Sequence, residues 1–68
     1  MITEIGLVAG DIWHYLDKHG EVKCEDLVKA IDKERDIVLM SLGWLAREGH
    51  VLVEQKKGKK RTVKLRRS

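Results

Sequence analysis

The 68-residue chain has no Phe, no Pro and no Asn, one Cys, one Gln and three aromatic residues, Trp13, Tyr15 and Trp44. A lone cysteine, Cys24, excludes an internal disulfide and fits a reducing cytosol, with the thiol serving as a small buried hydrophobe. Without Phe, the core is expected to form from aliphatic side chains around Trp13 and Trp44, or a second copy of the chain covers one of them. Few thermolabile residues beside many Lys and Glu hint at a thermophilic source. Met1 to Gly20 lacks a basic start and any long apolar run, because Glu4, Asp11, Asp17 and Lys18 interrupt it. Neither a secretory signal nor a membrane span is expected, and the expected location is cytoplasmic.

Residues for chemistry are equally sparse. His14, His19 and His50 have no Cys or carboxylate at ligand spacing, and the first two are five positions apart, off a common helical face, so no metal site is expected. Gly6 and Gly10 lie inside a helical pattern with no strand before them, which excludes a phosphate-cradling loop. No Ser, Cys or Lys has a base beside it in sequence, and 68 residues leave little room for a deep pocket. The expectation is a binding protein with no catalytic residue, cofactor or small-molecule ligand.

Acidic residues are missing from one end. None lies beyond Glu54, whereas Lys56, Lys57, Lys59, Lys60, Arg61, Lys64, Arg66 and Arg67 do. Positions 56–68 therefore carry +8. The first 55 positions hold six basic and eleven acidic residues, or −5, and the two parts make the net +3. Charge so segregated suits a polyanion partner. No aromatic follows Trp44, so the basic arm offers single-stranded bases no stacking platform, and duplex DNA or structured RNA is favoured.

The chain has room for one domain, residues 1–68. Ile5, Val8, Ala9, Ile12, Trp13 and Leu16 recur at helical steps, with Thr3 as N-cap and Gly20 as C-terminal cap. Gly6 and Gly10 weaken that helix, which suggests close approach of another backbone. Glu21 to Lys23 is a short extended piece, too short for a sheet unless paired elsewhere. A short helix follows to Ile31, then a tight turn at Asp32–Glu34, and a third helix from Arg35 to Glu48 ended by Gly49. After that the period changes to two. Val51, Val53, Val63 and Leu65 share one parity, and a turn around Lys56–Lys60 with Gly58 at positive φ puts all four on one face, whereas a two-residue turn at Lys57-Gly58 would flip one strand and pair Glu54 with Arg61. The order is that of a winged helix-turn-helix, an α+β fold with elements α-β-α-α-β-β, the helix-turn-helix at about 25–48 and the wing at about 51–66.

Ala9-Gly10-Asp11-Ile12-Trp13 and Leu42-Gly43-Trp44-Leu45-Ala46-Arg47-Glu48 resemble the two signature segments of a family of small bacterial and archaeal winged-helix proteins of unsettled function. The resemblance covers nearly the whole chain. It implies the winged helix-turn-helix fold and allows homodimers built on the helix-turn-helix surface. It implies no catalytic residue and no ligand, and Gly10, Trp13, Gly43 and Trp44 would be packing residues.

A wheel of the third helix points Val38, Ser41, Leu42 and Leu45 inward and Asp36, Leu39, Met40, Gly43 and Arg47 outward. Base edges are read by bidentate polar side chains, and this arc has one Arg, one Asp and two large apolar groups. Leu39, Met40, Gly43 and Trp44 instead make an apolar strip fit for a protein interface. The leading expectation is a weakly sequence-specific, transcription-regulator-like DNA-binding protein, with a homodimer as one form open to it. Its phosphate contacts would be Lys56, Lys57, Lys59, Lys60, Arg61, Lys64, Arg66 and Arg67, with Arg35 and Arg47 from the third helix. The alternative is a protein-interaction or homodimerisation module with no specific DNA binding.

Overall fold

Helical periodicity places Val8, Ala9, Ile12 and Leu16 on one buried face of α1 (Ile2–His19). These coordinates are a computed structural model that describes residues 2–58 and 60–66, without the Ile2 side chain. Thr3 is not the N-cap, because α1 already includes Ile2. Gly20, at φ 76°, ends the helix by donating its N–H to the Leu16 carbonyl at 2.8 Å.

The short strand β1 (Val22–Lys23) leads directly into α2 (Cys24–Ala30), whose first turn holds Glu25 and Asp26 where the helix dipole favours acids. Four residues, Ile31 to Glu34, separate it from α3 (Arg35–Arg47). Val38, Ser41, Leu42 and Leu45 are the buried residues of α3, as its wheel requires. Ser41, fully enclosed, is satisfied by its hydroxyl donating to the Ile37 carbonyl at 2.7 Å. Gly49 at φ 79° reverses the chain, with Gly49 N–H on the Ala46 carbonyl and His50 N–H on that of Leu45, the paired bonds of a Schellman cap.

Two antiparallel strands follow, β2 (Val51–Gln55) and β3 (Arg61–Leu65). Val51 faces Leu65 and Val53 faces Val63, the register the shared parity demands, with Gly58 at φ 81° in the connecting turn. β1 finds its partner here: Val22 pairs with Val63 and Lys23 with Thr62, so the sheet runs β1-β3-β2. The fold is α+β, three helices and an antiparallel hairpin in the order α-β-α-α-β-β.

The core is wholly aliphatic. Ile12, Leu27, Val38 and Val63 are fully enclosed, and Leu16, Leu45 and Val51 nearly so. Trp13 and Trp44 are not its anchors, being 39% and 47% exposed. Ile12, one position before Trp13, occupies the centre of the buried face and turns the indole about 100° away from it. Val53 is also displaced, half-exposed while Val51, Val63 and Leu65 dock on the helices. Among the described residues nothing lies within 4 Å of a Cβ placed on Gly6 or Gly10, so no other element occupies the space they leave.

Candidate nucleic-acid interface

The hairpin register sorts the arm's basic residues into three groups. Side chains alternate across a strand. Thr62 and Lys64 therefore project from the face opposite Val63 and Leu65, together with Glu54, which pairs directly with Thr62. On that outer face, Glu54 holds Lys64 at 3.1 Å and Lys56 at 3.5 Å, and Glu21 holds Lys56 at 3.6 Å. Lys64 and then Lys56 lower the Glu54 pKa, and Glu54 raises that of Lys64. The Glu21 pKa is lowered first by Thr62, whose enclosed hydroxyl makes no hydrogen bond of good geometry among the described residues. The Thr62–Glu21 contact is therefore a loose one. Two of the expected phosphate ligands, Lys56 and Lys64, are thus engaged within the chain.

A second group gathers at the wing tip and the start of α3. Arg61 is on the inner face with Val63, opposite Gln55. Arg61, Lys60, Lys23 and Arg35 line a cleft of about 210 Å³ together with Glu25 and Leu39. Arg35 donates from Nη2 to Glu25 Oε1 at 3.2 Å, which raises the Arg35 pKa and lowers that of Glu25. Lys57, exposed in the turn, extends the basic surface beyond the cleft. Lys59 and Arg67 lie outside the described residues.

The third group sits elsewhere. Arg47 is in the last turn of α3, twelve residues and about 18 Å of helix from Arg35. Arg66 follows β3 beside it: its N–H bonds the His50 carbonyl at 2.9 Å, and its guanidinium approaches Gly49. The ten expected contacts are therefore not one surface. Sequence reasoning missed Lys23, which only the pairing of β1 with β3 brings beside the wing. It also missed the Glu54–Lys64 pair, although the hairpin register places those residues diagonally across the strands.

A second groove carries three acids and one lysine, Lys33. Glu4, Asp32 and Glu34 rim this groove of about 580 Å³ between the start of α1 and the turn before α3. A third surface is apolar: Leu39, Met40 and Trp44 of α3 are 38%, 40% and 47% exposed. Trp44 continues into a groove of about 260 Å³ floored by Gly6 and Gly10 and walled by Trp13 and His50. Among the described residues, no group of three or more His, Cys, Asp or Glu could hold a metal, and no helix is long and apolar enough to cross a membrane.

Three helices, a recessed third helix and a terminal antiparallel wing define a winged helix-turn-helix domain. A family profile described as "Winged helix-turn-helix domain (DUF2582)" matches residues 1–65, and the chain belongs to that family. It is 41% identical over 69 aligned positions to the uncharacterized protein MJ1608 of Methanocaldococcus jannaschii, covering 97% of this chain and 96% of that one. The solution NMR structure of protein BT2368 from Bacteroides thetaiotaomicron superposes with a TM-score of 0.79 at 27% identity, over 93% of this chain and 76% of the other. The fold and the family of unsettled function are those the two signature segments imply.

Proposed function

We propose that the protein is a regulator-like nucleic-acid-binding protein that grips duplex DNA by its phosphates and is nearly indifferent to base sequence. It acts by binding, without catalysis. One observation carries the reading: cations of the wing tip face solvent without an ion pair among the described residues, while the outward arc of α3 offers bases little but Leu39, Met40 and Arg47. Phosphate contacts supply affinity without sequence information, and α3 lacks the side chains that would add it. A mobility shift on random-sequence duplex tests this. Binding is expected at low salt, weaker at moderate salt, and absent when Lys57, Lys59, Lys60 and Arg61 are reversed to Glu. Failure of the folded wild type to shift duplex at low salt would overturn it.

A second reading rests on a different surface. Exposed Trp44, Met40 and Leu39, next to a glycine-floored groove, favour self-association of two copies through α3 and α1. A dimer closed on α3 would leave the wing-tip lysines free, but the two readings share Leu39, which belongs both to this strip and to the cleft beside the wing. Sedimentation at high micromolar concentration should give about twice 7.8 kDa, and Trp44→Glu should return the mass to one chain. A wild type that stays monomeric under those conditions sinks this reading.

A further inference from the structure

The cleft between the start of α3 and the wing tip differs from every other charged surface of the molecule. Lys23, Arg35, Lys60 and Arg61 come from β1, α3 and the wing, from positions as distant in sequence as 23 and 61. Glu25 is the one acid lining it, so the cleft carries a net charge of +3 before any ligand arrives. Folding has brought like charges together and left them one carboxylate among four cations. An excess of cations along one cleft favours an anion there.

Glu25 itself behaves as a replaceable occupant. Its contact with Arg35 is a single one at 3.2 Å, and both side chains are more than half exposed. Exposed pairs of this kind are worth little, because water and salt compete for both partners. A guanidinium has a fork that suits a phosphate through two donors, so Arg35 and Arg61 stand to gain by exchanging a carboxylate for a phosphodiester. Leu39, 38% exposed at the floor, offers an apolar contact for a sugar.

The outer sheet face has the opposite character. Glu54 and Glu21 hold Lys56 and Lys64 there, and the two acids offset the two lysines. A polyanion gains less by approaching an internally paired surface.

We infer that this cleft is the phosphodiester seat of the protein, that Arg35 gives up Glu25 for a backbone phosphate when duplex binds, and that the paired outer face of the wing is not contacted. The inference rests on the nucleic-acid reading and adds which side of the wing faces the duplex. It commits to a nucleic-acid backbone over an acidic protein because Lys57 continues the basic track past the cleft, and a regularly charged linear polymer can follow both.

Two substitutions that change net charge equally separate the faces. Glu25→Gln frees the cleft, and Glu54→Gln frees Lys56 and Lys64 on the outer face. Binding of a labelled random-sequence duplex, followed by anisotropy at low salt, should tighten about two- to fivefold in Glu25→Gln, the range of one weak ion pair removed. It should change less than about twofold in Glu54→Gln. In an Arg35→Gln background, Glu25→Gln should lose most of its gain, since the two act through one contact. All three sites are exposed, so circular dichroism should show folded proteins. Equal tightening by Glu25→Gln and Glu54→Gln would mean binding follows net charge, and the seat would be wrong. No gain in Glu25→Gln would also overturn it. Polyglutamate that competes as well as duplex, charge for charge, would overturn the choice of phosphodiester. A wild type that binds no duplex at all would instead remove the nucleic-acid reading on which the seat depends.

Discussion

A Cβ on Gly49 would sit 3.3 Å from Nη1 of Arg66, on a backbone held at φ 79°. The side-chain tip can swing aside; the backbone cannot leave the left-handed region without undoing the cap of α3. Gly49→Ala should therefore destabilise by about 1–2 kcal/mol. For a domain this small the melting temperature should fall by about 4–8 °C per kcal/mol. Gly6 and Gly10 are the converse. They lie in helical backbone with open space above them, so alanine at either position should stabilise the monomer by up to about 1 kcal/mol in a dilute thermal melt. If a second copy uses that space, the same alanines should weaken self-association in sedimentation at high concentration. Gly49 and Gly58 were legible in the sequence, because a turn after a helix and a turn between strands each demand positive φ. The helical glycines were half legible: their cost could be read, but not whether anything fills the gap. The tryptophans misled for a related reason. Side-chain size argues for burial, but Ile12 already centres the face of α1. Ile12→Ala should cost about 2–5 kcal/mol in chemical denaturation, well above the cost of Trp13→Ala on the surface. The reverse order would contradict the aliphatic core.

The wing was the most legible element and the least legible site. Parity of Val51, Val53, Val63 and Leu65 favoured the register found for β2 on β3, in which Glu54 faces Thr62, over the flipped pairing of Glu54 with Arg61. Two residues at Val22–Lys23 carry too little pattern to announce a third strand, and only the docked fold reveals β1 at the edge of β3. Charge counting read the arm as uniformly available because it ignored faces, whereas Glu54 and Glu21 take up Lys56 and Lys64. That pairing predicts how stability depends on pH. The carboxyls of Glu21, Glu25 and Glu54 have folded pKa values below the ordinary 4.5. Their contribution is fully present above 4.5 and is lost as pH falls through the lowered folded values. Lys64 is raised above 10.5, so its contribution holds below 10.5 and is lost as pH rises through the raised value. The melting temperature should be flat through neutral pH and fall below about pH 4.5. Glu54→Gln should flatten part of the acid limb. An acid limb of unchanged steepness in that variant would show that the outer-face network adds nothing to stability. All these groups are exposed and screened, so the limb should shrink further in high salt.

On the scale of the whole molecule, the proposed nucleic-acid reading would make charge separation, in place of sequence reading, the means of orientation. The groove rimmed by Glu4, Asp32 and Glu34 lies toward the start of α1, and the cleft of Lys23, Arg35, Lys60 and Arg61 toward the wing tip. A duplex would be repelled from one side and drawn to the other before contact, an effect that fades beyond a Debye length of about 8 Å at physiological salt. The number of cations engaged is then readable from salt dependence. Counting the whole arm gives eight, but Lys56 and Lys64 are paired and Arg66 is remote, and the described cations at the tip and cleft are Lys23, Arg35, Lys57, Lys60 and Arg61, five in all. The slope of log K against log salt should be about −4 for one chain, at about 0.9 per phosphate on duplex. Self-association makes the same measurement sharper. If α3 joins two copies and both wings reach one duplex, the slope should approach about −8, and Trp44→Glu should halve it without touching a basic residue. A slope that stays near −4 in both proteins would mean that a dimer, where present, presents one wing at a time. A slope near −7 in a demonstrated monomer would mean that Lys56 and Lys64 leave their glutamates for the duplex, and that the outer face of the wing binds after all.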